Sequence, residues 1–385
     1  MLPTHMSGRK RPVGAYAPLP LSGNWISQLR VRSRLTNLAV LLLLSTLGLS
    51  LLYNLKHALF SPTPKYSAKA WNVDLPPELA GRPPSVEATI NRDPRMRAVD
   101  HLVMVPGHAV WLGTDPERVH RDEDWVLEPM QRGGSVNTYV KHIERAAAVA
   151  RDDPHALLVF SGGATRSHLT SPLSEASSYH RLAAARGLLR SPAEGTSLPV
   201  AQRATTEEYA LDSYENLLFS IARFREVTGR WPDKITVVGY GMKRKRFEQL
   251  HRGAIRFPAQ RFRYIGIDDE GNTSEHYLGE LKHGYAPFLF SPAGCRPPLS
   301  TKRLDRNPFS RYPSYHSSVP ELVPLLEWCP QSTPVGEVGV PTSIGQPGSD
   351  RSAGEGEGEG HFGDTAGMQP PKGFRVFEGK VPWAR

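Results

Sequence analysis

A run of 21 residues without a single charge, 35–55, is the most constraining feature of this 385-residue chain. At about 1.5 Å per residue, a helix of that length spans roughly 30 Å, the thickness of a bilayer's hydrocarbon core. Ten leucines fall between Leu35 and Leu52. Each favours insertion by about 0.5 kcal/mol, which together offsets Asn37 and the hydroxyl residues. No polar stripe interrupts the run, so it does not read as the buried side of an amphipathic helix. A cleaved signal peptide fits poorly as well, because 34 residues precede the run and no clear A-x-A site follows it. The sequence predicts one membrane-spanning helix.

Charge is distributed unevenly around that helix. Arg30, Arg32 and Arg34 sit just before it, Arg9, Lys10 and Arg11 further out, and Lys56, Lys65 and Lys69 after it. Six against three places the preceding residues on the cytoplasmic side and the remainder across the membrane. The first acidic residue is Asp74, so nine of the 47 Lys and Arg lie in an acid-free segment; the other 38 face 38 Asp and Glu. The net charge of +9 therefore describes the membrane-flanking segment, and a nucleic-acid surface is not expected. An acid-free, Arg- and Ser-containing start suits a mitochondrial presequence ahead of an inner-membrane anchor. The endomembrane system is the alternative, and Asn272-Thr273-Ser274, an N-glycosylation sequon, tests it. Cys295 and Cys329 are the only cysteines; they pair in an oxidising compartment or remain two free thiols. Without a CxxC or Cys/His cluster, no structural zinc site is expected.

Five regions follow: a basic segment 1–34, the span 35–55, a Pro-rich tether 56–98, an α/β domain 99–330 and a polar tail 331–385. Glycine and glutamate alternate at 354–360 of the tail, too polar to bury a core, so disorder is expected there. The aromatic stretch 374–383 reads as a docking peptide for unknown protein partners at most. Within the domain, apolar runs at 99–105, 156–160, 234–238 and 262–267 predict strands. Helical spacing predicts helices over 136–150 and 174–186, a third capped by Asp212 or Ser213, and a fourth marked by Phe247, Leu250 and Ala254. Asp212-x-x-Glu215 resembles a capping box. Strands alternating with helices define an α/β fold, a Rossmann-like parallel sheet covered on both faces.

Ligands of such sheets bind outside the carboxyl ends of the strands. That singles out Pro106-Gly107-His108, Ser161-Gly162-Gly163-Ala164-Thr165-Arg166, and Gly239-Tyr240-Gly241 with Lys243. The phosphate-loop signature, the dinucleotide fingerprint and the G-x-S-x-G elbow are all absent. The order of the remaining motifs is more telling. SGGATR at 161–166 precedes Ser174-Glu175-Ala176, and Glu208-Tyr209-Ala210 precedes Asp212-Ser213-Tyr214-Glu215-Asn216.

This order resembles the family built on domain of unknown function 218 (DUF218), the YdcF/SanA/ElyC-like proteins, over roughly residues 99–290. PGHAVW at 106–111 resembles its fungal branch. Where bacterial relatives carry T-S-x-x-H-x-x-R, this chain has Lys243 at the histidine and keeps Arg246. The change puts an imidazole base at that position in doubt and leaves a charge-binding role.

The resemblance implies a pocket in which Glu175 and Glu208 are the candidate catalytic acids or bases. Its candidate ligand-binding residues are Gly107, His108, Ser161, Gly162, Gly163, Arg166, Asp212, Ser213, Glu215, Asn216, Lys243 and Arg246. Carboxylates beside glycine-rich loops and cations suit a nucleotide-like or phosphorylated small molecule, or S-adenosylmethionine, with transferase or hydrolase chemistry. The alternative is a membrane-tethered adaptor without an enzymatic site.

Overall fold

The apolar runs become strands and the stretches between them helices in a computed structural model, which describes residues 34–60, 90, 93–166, 172–191, 198–334, 340–341 and 361–384. The chain divides into two units, 1–67 and 68–385. In the first, helix α1 (Arg34–Phe60) is continuous and contains one segment, Ala39–Lys56, long and apolar enough to cross a membrane. Its polar side chains turn back onto their own backbone: Thr46 Oγ1 donates to the Leu42 carbonyl at 3.0 Å and Asn54 Nδ2 to the Ser50 carbonyl at 2.9 Å. That is what hydrocarbon, which offers no hydrogen-bond partner, requires. Residues 1–33 of the basic segment, most of the tether and the 354–360 repeat lie outside the described residues.

The second unit is built on strands β1 (His101–Pro106), β4 (Ala156–Ser161), β5 (Ala204–Glu207), β6 (Lys234–Gly239) and β7 (Phe262–Gly266). They form a parallel sheet in the order β5-β4-β1-β6-β7, with His101 opposite Ala156 on one side and Lys234 on the other. A separate ribbon pairs β2 (Val110–Trp111) with β3 (Trp125–Val126). Alternation along the strands creates two cores. Leu102, Met104, Val159 and Val237 face α4 (Ser213–Thr228) through Leu217, Ile221 and Phe224. Val103, Val105, Leu158 and Phe160 face α2 (Ser135–Asp152) and α3 (Glu175–Ala185) through Val136, Ile143, Tyr179 and Leu182. The fold is α/β and Rossmann-like, with helices on both faces of the sheet.

Local signals explain the helix ends. Ser174 Oγ accepts from the Ser177 N–H at 2.9 Å to start α3, and Asp212 Oδ1 accepts from the Glu215 N–H at 2.9 Å to start α4. The expected reciprocal half of that capping box does not form, because Glu215 Oε2 accepts instead from the Leu211 N–H at 2.8 Å. Gly229, at φ +75°, ends α4 in the left-handed conformation.

In the carboxyl-terminal third one expectation changes and one open question is answered. The region 331–385 is not one disordered tail: Phe374, Phe377, Val381 and Trp383 are buried in the α4-side core. There Trp383 Nε1 donates to the Ile255 carbonyl at 3.0 Å and the Phe377 N–H to the Ala254 carbonyl at 2.8 Å. Four large apolar groups supply enough area to order a segment that its polar surroundings would leave loose. The cysteines, left open by the sequence, form a disulfide between Cys295 and Cys329. It closes a loop that contains helix α5 (Leu299–Asp305).

Candidate functional site

From β1 the chain crosses to β4 on one side, while β6 lies on the other side of β1. The loops after β1 and β6 therefore diverge and leave a crevice at their carboxyl ends. A cavity of about 940 Å³ occupies it, reached by the first turns of α2, α3 and α4 and by α5.

One corner is a cradle of glycine around Glu175. A Cβ on Gly107 would stand 2.5 Å from the Glu175 Cβ, and one on Gly162 would stand 2.8 Å from Glu175 Oε2. Gly162 also takes φ +153°. The two glycines thus admit the carboxylate where any side chain would expel it. The Glu175 N–H donates to the Gly163 carbonyl at 3.1 Å and the Ala176 N–H to the Gly162 carbonyl at 3.1 Å, fixing the loop to α3. Thr165 Oγ1 donates to Glu175 Oε1 at 2.6 Å. Arg166 pairs with Glu128 and donates from Nη2 to the His108 carbonyl at 2.9 Å; its Nε lies 3.9 Å from Glu175 Oε1.

At the centre, Lys243 Nζ lies 2.8 Å from His108 Nε2. His108 is buried beside the rings of Tyr139, His142 and Tyr240, with centroids 5.3, 5.8 and 5.1 Å away. Burial, helped by the Lys243 charge, holds its imidazole well below the usual histidine range, so it is neutral and accepts from Lys243. Burial, and then the charge of Arg246, pushes Lys243 down to about 7.

The opposite wall is cationic. Arg246 Nε lies 2.9 Å from Glu280 Oε1, a carboxyl that burial raises. Lys302 Nζ donates to the His283 carbonyl at 3.3 Å and Arg306 Nη1 to the Leu211 carbonyl at 2.9 Å. Among the described residues, Lys243, Lys302 and Arg306 have no carboxylate within ion-pair distance. Burial lowers Lys302, and repulsion from Arg306 and Arg246 lowers it further.

Of the residues singled out by sequence, Gly107, His108, Arg166, Glu175, Asp212, Ser213, Asn216, Lys243 and Arg246 line the cavity. Gly162 supports it from behind Glu175. The rest do structural work. Glu208 does not line the cavity; it accepts from Ser174 Oγ and Thr206 Oγ1, each at 2.9 Å, and braces the start of α3. The sequence suggests a catalytic or ligand-binding role for it; its carboxylate is here engaged by Ser174 and Thr206, outside the cavity lining.

Ser161 is buried against Glu207, and Gly163 lies under the Ala210 carbonyl. Glu215 pairs with Arg303 at 3.1 Å, beside the Asp212–Arg303 pair at 2.7 Å. Both acids raise the Arg303 guanidinium above its ordinary value, against its burial. Sequence reasoning missed Tyr240, Asp269, Glu280, Lys302 and Arg306, all of which line the cavity. Tyr240 was inside a singled-out loop; the others follow no glycine turn.

No family model matches the chain, and no solved structure matches it. It is similar to "Uncharacterized protein YOR238W" of Saccharomyces cerevisiae, 29% identical over 266 residues, covering 57% of this chain and 87% of the yeast protein.

Proposed function

We propose that this protein is a membrane-anchored α/β domain that binds a phosphorylated or nucleotide-like small molecule at the carboxyl ends of β1 and β6. On this reading it acts on that ligand as a transferase or hydrolase. The observation that carries the proposal is the convergence of Lys243, Lys302 and Arg306, without carboxylate partners among the described residues, on one cavity. Unpaired cations gathered at one place repel one another, and a dianionic phosphate relieves that repulsion. S-adenosylmethionine, whose sulfonium is itself a cation, gains less from this wall. The resemblance to the DUF218 family supports the same pocket, since its motifs deliver Gly107, Gly162, Glu175 and Arg246 there.

Calorimetric titration of the full chain in detergent micelles with pyrophosphate, AMP and S-adenosylmethionine tests the reading. Binding of the phosphates is expected, weakened tenfold or more in a Lys302→Ala/Arg306→Ala variant. No phosphate binding, or binding indifferent to those two residues, would overturn it.

The adaptor reading relied on the acidic, glycine-rich run at 354–360, which lies outside the described residues, and on a free aromatic segment at 374–383. With Phe374, Phe377 and Trp383 buried, that segment supports the domain's own packing instead.

The domain is proposed to face away from the basic flank, across the membrane from the cytoplasm or the mitochondrial matrix. Its disulfide suits an oxidising compartment, and Asn272 of the sequon is exposed. A deglycosylation-sensitive mobility shift, absent from Asn272→Gln, is the outcome expected of the endomembrane system. Its absence from protein made in a secretory host favours the mitochondrial inner membrane.

A further inference from the structure

We propose that Lys243 is the nucleophilic amine of the cavity and attacks the carbonyl carbon of a phosphorylated aldehyde or ketone to form an imine. The proposal builds on the anion-site reading above and names a substrate class for it.

Three features of the geometry point to this chemistry. Lys243 lines the cavity, and the hydrogen-bond partner of its Nζ is the neutral ring of His108, an acceptor at 2.8 Å, where a stabilising carboxylate would normally stand. The charges that act on it most strongly after burial come from Arg246, which repels its protonated form, with Arg306 adding to the repulsion and Glu280 and Glu175 opposing it. A lysine desolvated among other cations is the arrangement that yields a free amine near neutral pH. Finally, Lys302 and Arg306 line the same cavity, so a phosphate held there brings the rest of the molecule to the amine. The lowered value of about 7 agrees with the geometry.

The step balances without an external oxidant or reductant. The Nζ lone pair adds to the carbonyl carbon, and the C=O π pair moves to oxygen. One N–H proton passes through His108 Nε2 to that oxygen, giving a carbinolamine, and the second follows the same route to the hydroxyl as it departs. Loss of water leaves an Nζ=C double bond, so that amine plus carbonyl gives imine plus water.

The test uses the full chain in detergent micelles, incubated with glyceraldehyde 3-phosphate and sodium cyanoborohydride, which reduces an imine to a stable secondary amine. Peptide mass spectrometry then locates the adduct. The expected result is modification of Lys243 with a rate midpoint near pH 7, protection by inorganic phosphate, and no such adduct in Lys243→Arg. Labelling at least tenfold slower in Lys302→Ala/Arg306→Ala is also expected. Unphosphorylated glyceraldehyde should label Lys243 more slowly and without protection by phosphate.

Phosphate binding by calorimetry with Lys243 unmodified, or modified no faster than exposed lysines, would overturn the imine proposal while leaving the anion site standing. Labelling of Lys243 by both aldehydes with the same midpoint but no phosphate binding would instead sink the anion site and keep the reactive amine. Protection in the unmutated protein carries the result if Lys243→Arg does not fold.

Discussion

Ser161 Oγ lies 2.7 Å from Glu207 Oε2 and 2.8 Å from Asn216 Oδ1, yet a hydroxyl has one hydrogen to give. Both contacts are satisfied if Glu207 is protonated and donates to Ser161 while Ser161 donates to Asn216. Glu207 Oε1 meanwhile accepts from the Tyr209 N–H at 2.8 Å and the Tyr315 hydroxyl at 3.1 Å. Burial pushes this carboxyl up to about 7, in keeping with that arrangement. A group raised in the folded state contributes stability that is complete below its unfolded value of 4.5 and is lost as pH rises through about 7. Glu207→Gln keeps one donor and one acceptor in place. Between pH 5 and pH 8 its stability is therefore expected to gain about 2–4 kcal/mol relative to the unmutated protein. Thermal melts at the two pH values check this, and equal pH dependence in both proteins refutes it. Gly107→Ala makes the complementary case at the cavity. The first carbon of its side chain meets the first carbon of Glu175, so Glu175 must leave its cradle, and loss of phosphate binding with a folded domain is expected by calorimetry and circular dichroism. The departure at Lys243 also reads differently in three dimensions. The sequence suggested that replacing a histidine there removed a neutral imidazole from the site. The fold supplies one at the same place, from His108 on the loop after β1.

The central strands were legible because fully buried parallel strands need uninterrupted apolar runs, and β1, β4 and β6 have them. Strand β5 was not. It reads Ala-Thr-Thr-Glu at the sheet edge, with three of its four residues half-buried, so it carries no apolar run to notice. The same logic divides the site. Residues on glycine turns after apolar strands could be found, whereas Lys302 and Arg306 arrive on or just after a short polar helix, α5, beyond the stretch in which the motifs lie. The segment 361–384 escaped for another reason: its apolar residues follow neither a helical nor a strand period. They dock instead on the helix whose start carries Arg246, where Gln249 Nε2 donates to the Gly367 carbonyl at 2.6 Å and Gly253 packs under Pro370. Trp383→Ala should cost about 3–5 kcal/mol, the usual price of deleting a buried tryptophan. A urea midpoint unchanged by that substitution would show the segment to be dispensable.

On the scale of the whole chain, the excess positive charge flanks the apolar helix and the remainder balances 38 Lys and Arg against 38 Asp and Glu, which is why the overall charge of +9 says nothing about the cavity. The disulfide joins residues 34 positions apart. Closing a loop of that size typically stabilises a fold by about 2–4 kcal/mol. Cys295→Ser/Cys329→Ser is expected to lose that amount in denaturant titration, and a loss under about 0.5 kcal/mol would mean the loop is held by its packing alone. Besides Lys302 and Arg306, the loop contains Arg303, which holds Asp212 and Glu215 at the start of α4, and Tyr315, which reaches Glu207. Purification in thiol-containing buffer, a routine precaution for proteins with cysteines, would therefore act on the wall of the cavity. Preparations that differ only in their exposure to reductant should differ in ligand affinity, and assays of this protein need their thiol content controlled as closely as their pH.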